Sequence, residues 1–235
     1  MEKNRILLVE DEDNLAIGLI FNLEEEGYAV MRAKDGKEAM NIFEANHFDL
    51  VILDVMLPYY DGFELTQKMR LISSQIPIMI LSAKIGAKNR IKGLKLGADD
   101  YMVKPFHIQE LLERIKGMLK RQHWYEQETL EKSVYILNNK EINFDNLLCR
   151  TEESEFQLTS QEALVLKYLI QHKGKIVTRS ELLKNVWNVS ADMETRTVDN
   201  FIARLRKYFE PNPSKPVYIK SIRGAGYIFT DYGSV

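Results

Sequence analysis

The sequence predicts an α/β protein of two units, a doubly wound five-stranded parallel sheet followed by a smaller α+β domain. Three observations carry this. Short runs of Ile, Leu and Val alternate with amphipathic stretches of helical length through residues 1–121, the pattern of a parallel sheet covered by helices on both faces. One run, Leu50-Val51-Ile52-Leu53, is apolar throughout and ends on Asp54, shortly before Pro58, as a central strand buried on both faces would. Beyond residue 133 the strand-like pieces follow too closely to leave room for helices, and then give way to three helical patterns and a glycine-rich hairpin.

Taken in order, the candidate strands of the first unit are Arg5 to Val9, Ala29 to Ala33, Leu50 to Leu53, Ile78 to Leu81 and Asp100 to Val103. The candidate helices between and after them are Asn14 to Glu26, Gly36 to Ala45, Gly62 to Arg70, Lys88 to Leu96 and Ile108 to Arg121. Strict alternation makes this a flavodoxin-like unit, and right-handed crossovers put all the carboxyl ends of the strands on one edge. Gln122 to Lys132 is mostly polar and is expected to be a linker, with Trp124 and Tyr125 able to pin it to either side. The expected domains are therefore 1–121 and 133–235, joined by a linker at 122–132.

In the second unit, Val134 to Leu137, Glu141 to Phe144 and Leu147 to Arg150 suggest an antiparallel meander. Thr159 and Glu162 have capping-box spacing and open a helix running to about His172, which Gly174 ends. A second helix spans roughly Arg179 to Trp187 and a third Glu194 to Phe209, before a hairpin around Gly224-Ala225-Gly226. Three helices closed by a two-stranded hairpin make a winged helix-turn-helix.

Composition narrows the function classes. At 235 residues, 45% hydrophobic and 28% charged, the chain suits a globular protein with two cores. It contains no apolar run approaching the ~18 residues of a membrane span, and its start is too short of apolar residues for a signal peptide, so a cytoplasmic protein is expected. The one cysteine, Cys149, permits neither an intrachain disulfide nor a cysteine metal cluster. Net charge is only −2, yet Arg196 to Arg223 holds seven Lys/Arg against Asp199 and Glu210, which points to one basic face.

The predicted strand edge gathers a chemically coherent set. Strand one ends in Glu10-Asp11, with Asp13 just after; strand three ends in Asp54, strand four in Ser82 and strand five in Lys104-Pro105. Clustered carboxylates need a counter-ion, and oxygen ligands suit a hard cation such as Mg²⁺. With the metal bound, Asp54 stays ionised and can act as a nucleophile toward a phosphoryl group. Mg²⁺ and Lys104 would neutralise that group's oxygens while Ser82 donates a hydrogen bond.

The array Glu10-Asp11, Asp54 with Pro58-x-x-Asp61-Gly62, Ser82-Ala83, Gly97-Ala98-Asp99-Asp100-Tyr101 and Lys104-Pro105-Phe106 resembles the receiver domain of two-component response regulators over residues 3–121. The resemblance implies that Asp54 accepts phosphate from a sensor histidine kinase. It implies that Asp11, Asp54 and the Met56 carbonyl ligate Mg²⁺, with Glu10 acting through water. It further implies a cis Lys104–Pro105 bond, and a switch in which Ser82 moves toward the phosphate and Tyr101 swings inward behind it. Three pairs would form across a homodimer: Arg90 with Glu110, Asp100 with Arg114, and Asp99 with Arg121. The alternative for that face is solvated local pairs such as Glu110 with Arg114. Tyr59 and Tyr60 depart from the smaller residues usual between Pro58 and Asp61.

In Arg196 to Lys207, Val198, Phe201, Ile202 and Leu205 recur at helical spacing and form an inward stripe. Arg196, Thr197, Asn200, Arg204 and Lys207 fall on or beside the other face, where they can reach a major groove, and Arg223 beside Gly224-x-Gly226-Tyr227 suits a minor groove. Arg-Thr-Val-Asp…Leu-Arg-Lys followed by Arg-Gly-x-Gly-Tyr resembles the effector domain of the OmpR/PhoB subfamily over about residues 133–232. By that resemblance Arg204 contacts bases, Thr197 and Lys207 contact phosphates, and Arg223 enters the minor groove. Ser221 and Tyr227 complete the DNA-facing set, and the turn from Trp187 to Asp192 touches RNA polymerase. Ala203 and Ile228 stand where basic residues are frequent, so a shallower salt dependence is expected.

The expectation is a DNA-binding transcription regulator, not an enzyme, that is switched by phosphorylation at Asp54 and binds double-stranded DNA half-sites as a dimer. An aspartyl-nucleophile phosphatase is the first alternative, but Met56 stands where such enzymes commonly carry a second acid. The second is a phosphate-independent regulator or a winged-helix module that binds protein.

Overall fold

The computed structural model describes residues 3–83, 86–127, 134–151, 154–187 and 196–231. The chain forms two compact units, Met1–Leu119 and Lys120–Val235.

In the first unit the strands are β1 (Arg5–Val9), β2 (Ala29–Ala33), β3 (Leu50–Asp54), β4 (Ile78–Ser82) and β5 (Asp100–Val103). They pair in the order β2-β1-β3-β4-β5, parallel throughout. β3 and β4 are buried at every position, which is why their sequences are apolar runs rather than alternating ones. The helices are α1 (Asp13–Glu25), α2 (Gly36–Ala45), α3 (Gly62–Ile72), α4 (Ala87–Lys95) and α5 (Ile108–Gln127). One core gathers Leu19 and Leu23 of α1, Ile52 and Met79 of the sheet, and Leu111 and Ile115 of α5.

Two helix starts fix the loops around the strand edge. Asp35 caps α2 by accepting the Lys37 and Glu38 N–H groups, and Asp61 and Glu64 form a capping box at α3. Glycine follows each cap because a side chain has no room there. A Cβ on Gly36 would lie 2.5 Å from the Tyr60 carbonyl oxygen, and one on Gly62 only 2.1 Å from that of Asp54. The backbone immediately after the acid is thus pressed against the start of α3.

The last helix of the first unit is longer than expected. α5 runs to Gln127, past the expected end at Arg121, because Lys120 to Gln127 contains no glycine, proline or β-branched residue to stop it. Residues 128–133 and the side chains of Trp124 and Tyr125 lie outside the described residues.

The second unit opens with an antiparallel sheet of β6 (Val134–Leu137), β7 (Lys140–Asn143), β8 (Leu148–Arg150) and β9 (Glu155–Gln157). Then follow α6 (Ser160–Gln171), β10 (Ile176–Thr178), α7 (Arg179–Val186), α8 (Arg196–Phe209), β11 (Ile219–Ile222) and β12 (Gly226–Phe229). The expected two-stranded hairpin is in fact part of a three-stranded sheet, β10-β12-β11. At three residues each, β9 and β10 are too short to show a period of two in sequence. Gly226 admits β10, since a Cβ there would sit 2.1 Å from the Val177 carbonyl oxygen. Val198, Phe201, Ile202 and Leu205 are all buried, as the stripe requires, and Trp187 meets Phe201 edge-on at 5.2 Å. The rest of the turn assigned to RNA polymerase, residues 188–192, lies outside the described residues.

Candidate functional site: an acidic pocket and a winged helix

Parallel strands deliver Glu10, Asp54, Ser82 and Lys104 to one edge, where the side chains of Glu10, Asp54 and Lys104 meet. Lys104 Nζ donates to Glu10 Oε2 at 2.7 Å and to Asp54 Oδ2. Asp54 also accepts the Met56 N–H at 3.0 Å, a turn in which the backbone holds the carboxylate. Glu10 and Asp54 are buried, whereas Asp11 is exposed beside them. Burial pushes the Glu10 carboxyl above its ordinary range, against the opposing pull of Lys104. Burial alone would lower Lys104, but its bonds to Asp54 and Glu10 outweigh that and raise it.

The donor set fits a hard divalent cation. Glu10, Asp11 and Asp54 each offer an oxygen, and these lie within 4.8 Å of one another. One ammonium balances only part of the charge of three carboxylates, so the pocket keeps a demand for further positive charge.

Ser82 is fully buried at the end of β4, and its carbonyl accepts the Lys104 N–H at 2.8 Å, tying two strand ends together. The Lys104–Pro105 bond is cis. Tyr101 is buried, with its hydroxyl hydrogen-bonded to Ser82 and its pKa pushed up by burial. Gly93 of α4 makes the space: a Cβ there would come within 3.1 Å of the Tyr101 ring and 2.9 Å of Ile80. Tyr59 adopts φ 69° and is exposed, a left-handed conformation unusual for an aromatic residue.

Of the groups expected to pair across a dimer, Asp99, Asp100, Glu110 and Arg114 are engaged within the chain. Asp99 is held by Arg70 at 2.5 Å and accepts the Ile78 N–H at 2.9 Å, so within the chain it brackets α3 and the sheet. Arg114 binds Asp100 at 2.5 Å and Glu110 at 2.9 Å, the local alternative. Arg90 is half-buried on α4, and the Arg121 side chain lies outside the described residues.

On α8 the exposed face carries Asp199, Ala203 and Lys207, flanked by half-buried Asn200 and Arg206. The Arg196 side chain lies outside the described residues, and Thr197 is nearly buried. Arg204 is the main correction. It is 8% exposed, faces the buried Glu162 at 2.7 Å and lies over the Phe201 ring, because its position borders the apolar stripe rather than opposing it. Tyr227 is likewise buried, its hydroxyl donating to Asp199 and accepting from Arg179 at 3.1 Å. Ser221 and Arg223 are exposed on the hairpin, and Gly224 makes its turn at φ 74°.

Sequence reasoning missed Arg179 and Arg206. Arg179 pairs with Asp199 at 2.7 Å, and Arg206 donates to the Ile219 carbonyl at 2.6 Å and to Ser221 at 2.9 Å, so together they lash α8 to α7 and the hairpin. The available signal was Asp199, an acid on the exposed face of a basic helix, which needs a cation beside it.

A phospho-acceptor pocket on one unit and a winged helix on the other define a class, the phosphorylation-regulated DNA-binding transcription regulators. Comparison with known proteins agrees. Residues 6–116 match the response regulator receiver domain, and residues 153–229 match the C-terminal domain of transcriptional regulatory proteins. The alkaline phosphatase synthesis transcriptional regulatory protein PhoP of Bacillus subtilis is 40% identical over 95% of both chains. A mutant of RitR superposes with TM-score 0.76 at 29% identity, covering 96% of this chain and 98% of its own. DrrB, an OmpR/PhoB homologue from Thermotoga maritima, superposes with TM-score 0.53 at 30% identity, covering 97% of this chain and 100% of its own. The chain belongs to the two-component response regulators of the OmpR/PhoB type. Among the described residues no helix is long and apolar enough to cross a membrane.

Proposed function

We propose that Asp54 takes a phosphoryl group from a histidine of a sensor kinase, and that the resulting aspartyl phosphate promotes a dimer that binds two DNA half-sites about one helical turn apart. The observation that carries this is Lys104 bridging Asp54 and Glu10 at the strand edge. A carboxylate oxygen of Asp54 attacks phosphorus as the bond to the donor nitrogen breaks, and the histidine leaves with the electron pair. Lys104 follows the new charge from carboxylate to phosphoryl oxygen, and Ser82 donates to a second oxygen, taking Tyr101 with it. Glu10, Asp11, Asp54 and the Met56 carbonyl would hold Mg²⁺, which supplies charge neutralisation at the phosphoryl oxygens when bound.

On DNA, Lys207, Thr197, Asn200 and Arg196 of α8 would follow the major groove, with Ser221 and Arg223 of the hairpin at the backbone and minor groove. Arg204 and Tyr227 instead support the helix from inside. A dimer built on α4, β5 and α5 must re-pair Arg114 and Glu110, groups already satisfied within the chain, so it is a weak dimer that the added phosphate charge tips. RNA polymerase would be met through the turn after Trp187.

The test is acetyl phosphate with MgCl₂ on the full chain. An acid-stable, hydroxylamine-labile adduct on the peptide containing Asp54 is expected. Turnover of phosphate esters without any adduct would revive the phosphatase alternative.

A further inference from the structure

Arg32 has no role in the chemistry above, yet it is hydrogen-bonded to the backbone of the acidic loop. It sits in β2 opposite Leu8 of β1, and its side chain is 14% exposed. Its Nε and Nη2 donate to the Glu10 carbonyl at 3.0 and 2.9 Å, and Nη2 reaches the Asp11 carbonyl at 3.3 Å. Nη1 binds Asp13 Oδ1 at 2.6 Å. One guanidinium therefore grips the backbone of both residues whose carboxylates face Asp54, together with the acid that opens α1.

Peptide planarity makes this grip directional. Fixing the two carbonyl oxygens fixes the adjoining peptide planes, and with them the directions in which the Glu10 and Asp11 side chains leave the backbone. Burial can hold Glu10, but Asp11 is exposed, so packing alone does not aim it. A planar fork matches three acceptors at once, which a lysine ammonium on a flexible stem does not.

We propose that Arg32 is a positioning residue for the divalent-cation site, holding the Glu10-Asp11 loop so that its carboxylates converge with Asp54. The inference rests on the reading of that pocket as a Mg²⁺ site. It makes a counter-intuitive claim, because removing a nearby positive charge should by charge alone tighten binding of a cation. Loss of positioning weakens it, and groups that orient metal ligands are typically worth about 10–100-fold in affinity.

The experiment is calorimetric titration of MgCl₂ into the unphosphorylated full chain. Arg32→Ala is expected to raise the Mg²⁺ dissociation constant about tenfold. Arg32→Lys, which keeps the charge and loses the fork, should raise it at least about threefold. Lys34→Ala removes the other cation from Asp13, 3.3 Å away, without touching either carbonyl contact, and should leave the constant unchanged or slightly lowered. Tighter or unchanged binding in Arg32→Ala, or wild-type binding in Arg32→Lys, would overturn the proposal. A wild-type chain that takes up no Mg²⁺ overturns the pocket reading itself, a separate failure visible before any variant is made.

Discussion

Two buried charge clusters, one in each unit, are built in opposite ways. In the first, Lys104 is divided between Glu10 and Asp54, with Asp11 alongside, so anionic charge exceeds cationic. In the second, Arg204 and Glu162 form a one-to-one pair, and the second Glu162 oxygen accepts the Thr159 N–H at 2.7 Å. An unbalanced cluster at the end of a parallel sheet is poised to take a ligand. A balanced pair inside a helical domain has no such demand and serves packing. The same residue types thus make a reactive site in one place and a structural tie in the other, and what distinguishes them is the local charge count and access to the edge.

This contrast can be broken or sharpened by substitution. The largest effect belongs to the unbalanced cluster: Asp54→Asn should abolish phosphate incorporation from acetyl phosphate, read by mass spectrometry of the intact chain, with little change in urea stability. Next comes the balanced pair. Arg204→Ala leaves Glu162 buried and uncompensated, and should cost about 3–5 kcal/mol in urea unfolding of the second unit. Its DNA affinity should then fall on every sequence alike, through loss of fold rather than loss of base preference. A folded Arg204→Ala chain with relaxed preference would restore Arg204 as a base contact. A smaller effect is expected at the exposed hairpin, where Arg223→Ala should reduce the slope of log affinity against log salt by about 1.

The smallest expected signal concerns Cys149. Burial pushes its thiol up to about 12, so the nucleophilic thiolate is scarce near neutrality and begins to form only well above pH 9. The native chain should resist iodoacetamide at pH 8, and the unfolded chain should react. Rapid labelling of native Cys149 would show that the second unit opens more readily than its core implies.

The first unit was legible because its chemistry sits at the ends of apolar runs, and parallel pairing leaves those ends nowhere to go but one edge. Asp54 and Lys104 meet there, with the end of β4 at Ser82 beside them. Arg32 was not legible, since a strand residue two positions from a turn gives no sign that its side chain reaches back to a neighbouring loop. The second unit hid more. The capping box of Thr159 and Glu162 was visible at its own spacing, but the further use of Glu162 by Arg204 spans distant parts of the chain and leaves no local mark. Arg204 also sits at the margin of the α8 stripe, where helical periodicity does not decide between inside and outside. Asp99, Asp100 and Glu110 also have partners within the chain, Arg70 and Arg114, which a reading of pairs between chains gave no reason to look for.

The central claim is that a covalent event on the first unit governs what the second does. Its most direct test is the affinity of the full chain for a DNA duplex selected from a random pool, measured with and without acetyl phosphate and MgCl₂, for the wild type and Asp54→Asn in parallel. Tighter binding on phosphodonor treatment is expected in the wild type alone. Equal tightening in Asp54→Asn, or none in a wild-type chain shown to be phosphorylated, would contradict it.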